Sequence, residues 1–233
     1  MIQVFPGAAR YMANHGWLQS RFSFSFAEYY DVNNVMFGPL RVFNEDTLAS
    51  GRGFAMHPHQ DMEIVSIVLE GHLKHEDSYG NSAVTTVGQV QRMSAGTGIF
   101  HSETNASSTE RVCFLQMWFL PEEHGLTPSY QQTSYTIADM KNNLLPIVSK
   151  YFSEEVAYIH QDMTIYMAEI EPNTCITFTT NFDRKTFLFV IEGDVSINET
   201  FNLQRRDSAR IIEEETLVLS SFKGTRFILI DLP

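Results

Sequence analysis

Short apolar runs, rich in β-branched and aromatic residues and broken by glycine-bearing turns, recur along this chain, and that rhythm restricts it to an all-β fold. Residues 62–69, 112–120, 186–195, 216–221 and 226–232 read as strands, and residues 22–26 alternate phenylalanine with serine. Turn signals stand between them at Gly51-Arg-Gly53, Tyr79-Gly80-Asn81 and Gly96-Thr-Gly98. Helical periodicity is confined to a short stretch at 136–142. Many short strands at such spacing predict jelly-roll barrels or sandwiches.

The 233 residues suffice for one large or two modest domains. The stretch 121–150 is more polar, and Pro121, Gly125, Pro128 and Pro146 punctuate it. It reads as a crossover between an N-terminal domain at 1–135 and a C-terminal domain at 136–233. The two halves share a pattern: Ile67-Val-Leu-Glu70-Gly71-His-Leu73 resembles Phe189-Val-Ile-Glu192-Gly193-Asp-Val195. At that offset His57 falls on Thr179 and His59 on Asn181, so a duplicated second half would lack those imidazoles.

Composition excludes several classes. No apolar run approaches the ~20 residues that span a bilayer, and the first residues lack the basic-then-apolar pattern of a secretory leader. Cys113 and Cys175 lie in apolar, strand-like segments and read as small buried thiols of a reducing compartment. A cytoplasmic protein is expected. The net charge of −12 is scattered apart from Glu213-Glu214-Glu215, and no basic stripe offsets it, so direct nucleic-acid binding is not expected.

The chemistry concentrates in two short motifs. In an extended His57-Pro58-His59, both imidazoles point to one face. His101-Ser102-Glu103 repeats the spacing with a carboxylate. Two adjacent strands would then present three nitrogens and one oxygen to a common point, a donor set suited to one mononuclear divalent ion: Fe(II), Mn, Co, Ni, Cu or Zn.

These motifs match the cupin pattern. Gly51, His57, His59, Glu63 and Gly71 follow the first cupin motif, with one extra residue before Gly71. Gly88, Ser94, Gly98, His101 and Asn105 follow the second, with Ser94 in place of the usual proline. Within cupins the chain resembles the pirin family, specifically bacterial pirin-like bicupins. The resemblance rests on Asn14-His-Gly-Trp-Leu18, Gly53-Phe-Ala-Met-His-Pro-His59, Met93-Ser-Ala-Gly-Thr-Gly98, His101-Ser-Glu103 and Gln116-Met-Trp118. It is dense to about residue 130 and looser beyond.

The resemblance implies a bicupin of two jelly-roll barrels or sandwiches. It implies His57, His59, His101 and Glu103 as ligands of an iron ion, Glu63 as no ligand, and a metal-free second cupin. It also implies quercetin 2,3-dioxygenase activity on a flat, flavonol-like aromatic with O2. In that chemistry Glu103, as the one ligating carboxylate, would accept the substrate's hydroxyl proton. Eukaryotic relatives imply an alternative, a redox-sensitive iron protein that regulates through a protein partner.

Other residues carry plainer expectations. His72 and His75 lie on opposite faces of a strand and read as solvated. His124 and His160 read as structural, His15 as packing beside Trp17, and Phe22, Phe24 and Phe26 as core.

Overall fold

The computed structural model describes residues 1–151 and 153–233. They form two compact units. The first joins Tyr11–Ser134 to Tyr151–Gln161; the second joins Met1–Arg10, Tyr135–Lys150 and Asp162–Pro233. The units therefore depart from the simple division at 135/136. The first strand, β1 (Ile2–Phe5), pairs antiparallel within the second unit, from Ile2 opposite Ile211 to Phe5 opposite Ser208. The segment Tyr151–Gln161 is held in the first unit by polar contacts. Tyr158 N donates to Gln131 Oε1 at 2.9 Å and Gln161 Nε2 to the Leu120 carbonyl at 2.7 Å.

The first unit is a two-layer sandwich built, in chain order, from β2 (Tyr11–Asn14), β3 (Leu18–Phe22), β4 (Leu40–Leu48), β5 (Gly53–His59), β6 (Glu63–Glu70), β7 (His72–Asp77), β8 (Ser82–Thr86), β9 (Gln89–Ser94), β10 (Ile99–Asn105), β11 (Val112–Phe119) and β12 (Ser129–Ser134). One sheet runs β12-β9-β6-β11-β4-β3-β2, the other β5-β10-β7-β8. β6 and β11 are buried on both faces, as continuous apolar runs require. Leu73 of β7 meets Leu48, Val68 and Phe114 of the larger sheet, and Ile99 of β10 meets Ile64 and Met93, which closes the core between the layers.

The second unit repeats the plan. The long strand Lys185–Ile197 pairs with Thr225–Leu232 and Ser208–Ile212 in one sheet, then with Phe201–Gln204 and Thr216–Ser221 in the other. Its core includes Leu188, Val190, Leu217, Leu219, Phe227 and Leu229.

The Glu-Gly repeat has a structural meaning. Gly71 and Gly193 both adopt φ +81°, and each sits where a strand leaves one sheet for the other. A Cβ on Gly71 would meet the Arg111 carbonyl oxygen at 2.5 Å, and one on Gly193 would collide with that of Gly224. Only glycine fits a left-handed corner crowded in this way.

Of the barrels or sandwiches expected, both units take the sandwich form, with open sheet edges. Three other expectations change. The supposed crossover contributes β12, paired with β9, and the strand Leu145–Ser149, paired with Thr164–Ile170. Residues 22–26 are not one strand, because β3 ends at Phe22 and the chain bends. The short helix is present as Ile137–Met140, with Thr136 and Asp139 forming a capping box. Cys113 is half-buried and Cys175 exposed, and the two form no disulfide with each other, so neither is the buried thiol expected. Among the described residues no helix is long and apolar enough to cross a membrane.

Candidate metal centre

β5 and β10 are antiparallel neighbours, and His57 lies directly opposite His101. His59, two residues on, shares the face of His57. The three imidazoles converge, with ring centroids 4.5 Å apart for His57–His101, 4.8 Å for His57–His59 and 4.9 Å for His59–His101. The ladder between β5 and β10 shifts register between His101 and Glu103. Glu103 consequently faces Phe54 on one side and His75 of β7 on the other.

Glu103 is buried beneath the larger sheet. Ser66 Oγ donates to its Oε1 at 3.1 Å and Gln91 Nε2 to the same oxygen at 2.6 Å, while Gln116 Nε2 donates to Oε2. Register explains the cradle: Gln116 is opposite Ser66 and Ser66 opposite Gln91, so one transverse polar row crosses β11, β6 and β9. Gln91 is itself oriented, because its Oε1 accepts from Thr85 Oγ1 at 3.0 Å and from Tyr130 OH at 3.3 Å. Burial raises the Glu103 pKa, against the pull of nearby His75 and of the Gln116 and Ser66 donors.

Two of the imidazoles, His59 and His101, are held in the neutral form. Burial, reinforced by the neighbouring His57, lowers His59 to about 4, and burial first, then His57 and His59, lowers His101 to about 2. His57 Nδ1–H donates to the Ala55 carbonyl at 2.7 Å, so in the neutral ring the lone pair is on Nε2. That atom lies 3.1 Å from His101 Nε2. His59 Nε2 is buried and has no hydrogen-bond partner. An orphaned His59 nitrogen beside two ring nitrogens this close fits a cation: two nitrogens bound side by side at about 2.1 Å from one ion lie about 3 Å apart. His57, His59 and His101 could thus hold one first-row ion.

The sequence-predicted quartet is not one mutual cluster. The ligand atoms of His57, His59 and His101 form one group within 4.8 Å, and those of His75, His101 and Glu103 form a second, with His101 in both. Glu63 lies apart from both. Its carboxylate accepts from Ser94 Oγ at 2.9 Å and from His160 N at 3.3 Å, a structural role for both Glu63 and His160. In the second unit Thr179 faces Thr216 across neighbouring strands, the same cross-strand relation as His57 and His101 but without imidazoles.

Comparison with known proteins places this arrangement. Residues 6–119 match the Pirin family model, and residues 146–232 match the model of the quercetinase C-terminal cupin domain. The chain is 40% identical to an Escherichia coli K12 protein named quercetin 2,3-dioxygenase, over all of this chain and 99% of that one. The chain belongs to the pirin family. A pirin-like protein of Caulobacter vibrioides is 35% identical over 94% of each chain. The crystal structure of the E. coli bacterial pirin YhhW in complex with nickel(II) superposes with a TM-score of 0.95 at 39% identity, covering 100% of this chain and 99% of that one.

In this pirin a cleft of ≈ 560 Å³ opens beside His57 and Glu103. Its walls are Trp17, Phe22, Phe26, Phe54 and Trp118. Phe26 meets Trp118 edge-on at 5.3 Å, and Trp118 meets His59 at 4.8 Å. Of the three phenylalanines assigned to the core, only Phe24 is pure core; Phe22 and Phe26 form cleft wall. His15 also lines the cleft rather than only packing beside Trp17, and its Nε2 is 3.6 Å from Glu28 Oε1.

The largest departure is His75. His72 is exposed as expected, but His75 has no solvent exposure at all. It lies against His101, with Nδ1 atoms 3.4 Å apart, and its Nε2 is 3.1 Å from Asp77 Oδ2. The signal was present in the sequence: His72, Lys74 and Glu76 alternate with Leu73, His75 and Asp77, and Leu73 marks the second set as inward.

Proposed function

We propose that the chain is a metal-dependent dioxygenase of the quercetin 2,3-dioxygenase type, acting on a flat, enolizable aromatic with O2. One ion, Fe(II) in our reading, is held by His57, His59 and His101, with Glu103 as the carboxylate donor. The observation that carries this is the pair of facing nitrogens, His57 Nε2 and His101 Nε2, 3.1 Å apart, with His57 on the wall of an apolar cleft. The curated E. coli relative bears the dioxygenase name and the bacterial pirin structure holds nickel(II), which supports a metal at this position here.

When bound, such an ion supplies a Lewis acid that favours the deprotonated form of a coordinated hydroxyl and a partner for O2 chemistry. The protein does the rest. Trp17, Phe54 and Trp118 sandwich a planar substrate and keep water out of the cleft. A volume of ≈ 560 Å³ suits a ligand of flavonol size. Glu103, whose burial makes it more basic than a solvated carboxylate, accepts the substrate's hydroxyl proton, and Ser66, Gln91 and Gln116 hold its oxygens in place for that transfer. We place the reaction in the cytoplasm.

The test is anaerobic reconstitution with Fe(II), followed by quercetin and air, reading the loss of quercetin's visible absorbance. The expected result is turnover that His57→Ala abolishes. Unchanged absorbance with the Fe(II) protein, or full turnover in His57→Ala, overturns the reading.

A further inference from the structure

We infer that His75 and Asp77 are positioning residues that fix the tautomer and ring orientation of His101. The inference rests on the metal ligation proposed above, not on the dioxygenase reaction.

Asp77 accepts from Tyr79 N at 2.9 Å, from Asn81 N at 3.1 Å and from Asn81 Nδ2 at 2.8 Å. A carboxylate met by three donors stays an acceptor, so the fourth contact, with His75 at 3.1 Å, takes its proton from His75 Nε2. The neutral form of His75, with its one N–H on Nε2, holds a lone pair on Nδ1. It faces His101 Nδ1 at 3.4 Å, and this pair forms a hydrogen bond only if His101 donates. His101 is thereby left with its lone pair on Nε2, the atom that faces His57. A chain of two hydrogen bonds from a buried carboxylate thus selects the tautomer in which His101 can ligate beside His57.

Orientation is fixed as well. Tyr130 stacks on His75, with centroids 4.5 Å apart and planes 20° from parallel, so the ring cannot rotate freely. Tyr130 also donates to Gln91, which donates to Glu103. One buried network therefore orients both donors of β10, His101 through His75 and Glu103 through Gln91. Side chains that hydrogen-bond a metal-ligating histidine typically contribute about 10- to 100-fold in metal affinity.

The test uses the full chain and Co(II), whose visible absorption reports coordination. In the metal-free wild type, long-range 1H–15N correlation of the imidazoles is expected to show His101 protonated at Nδ1. His75→Phe keeps the stack on Tyr130 but cannot accept a hydrogen bond. It is expected to lose about 10- to 100-fold in Co(II) affinity, to change the Co(II) absorption, and to show His101 as mixed tautomers. His75→Asn restores an acceptor near the Nδ1 position and is expected to recover part of the affinity.

Wild-type chain that binds no Co(II) overturns the ligation itself. Three results overturn only the positioning role: normal Co(II) binding by His75→Phe, wild-type His101 protonated at Nε2, or two Co(II) per chain with one lost in His75→Phe. The last would make His75 a ligand. The tautomer measurement needs no variant, so the inference remains testable if His75→Phe does not fold.

Discussion

His57 and His101 are direct cross-strand partners on β5 and β10, and their Nε2 atoms lie 3.1 Å apart. Everything else about the centre is arranged around that contact. His59 enters because it is two residues along the same strand, while Glu103, two residues past His101 on β10, groups with His101 and His75.

The polar row under Glu103 predicts a stability effect separate from metal binding. Gln116→Leu removes one donor from a buried carboxylate and leaves it less satisfied. The metal-free protein is expected to lose about 1.5–3 kcal/mol, the usual worth of a hydrogen bond to a charged group. Urea denaturation measures it, and an unchanged midpoint would mean that Ser66 and Gln91 suffice.

The cleft wall predicts a binding effect. Phe26 stands between Phe22 and Trp118 and touches none of the three histidines closely enough to form a ring contact. Phe26→Ala is expected to raise KM for a flat aromatic by about tenfold or more, the worth of one aromatic wall, with metal content unchanged. Steady-state kinetics with elemental analysis checks both halves of the statement.

The sandwich corners predict a contrast between two glycines. Gly193 and Gly80 have similar φ, +81° and +90°, but only Gly193 has a carbonyl where a Cβ would sit. Gly80→Ala is expected to cost about 1–2 kcal/mol from backbone strain alone. Gly193→Ala is expected to cost at least ~1 kcal/mol more, because the strand must also move. Equal losses in denaturant titrations would remove the crowding argument.

How much was legible beforehand follows from what periodicity can and cannot say. His57 and His59 were readable because a period of two puts them on one face whatever the strand pairs with. Their meeting with His101 rested on the family resemblance and on two strands being neighbours, which spacing alone does not give. His75 was missed for the complementary reason. Its separation from His72 was read correctly as opposite faces, but which face is wet depends on the sheet that covers it. The same limit hid the polar row, since Gln116, Ser66 and Gln91 are aligned by register across three strands. The corner glycines lay in view as a repeat, and only the sheet assignment shows why Glu-Gly recurs. The first ten residues could not be assigned to the second unit from sequence, because a single edge strand carries no mark of its partner.

If the facing nitrogens of His57 and His101, with His59, hold one transition-metal ion, elemental analysis will count it. The purified chain and His101→Ala are each loaded with Fe(II) or Ni(II) and freed of excess metal. One ion per wild-type chain is expected, with nearly all of it lost in His101→Ala. A wild-type chain that retains no ion, or a His101→Ala chain that retains it fully, rules out ligation by these histidines.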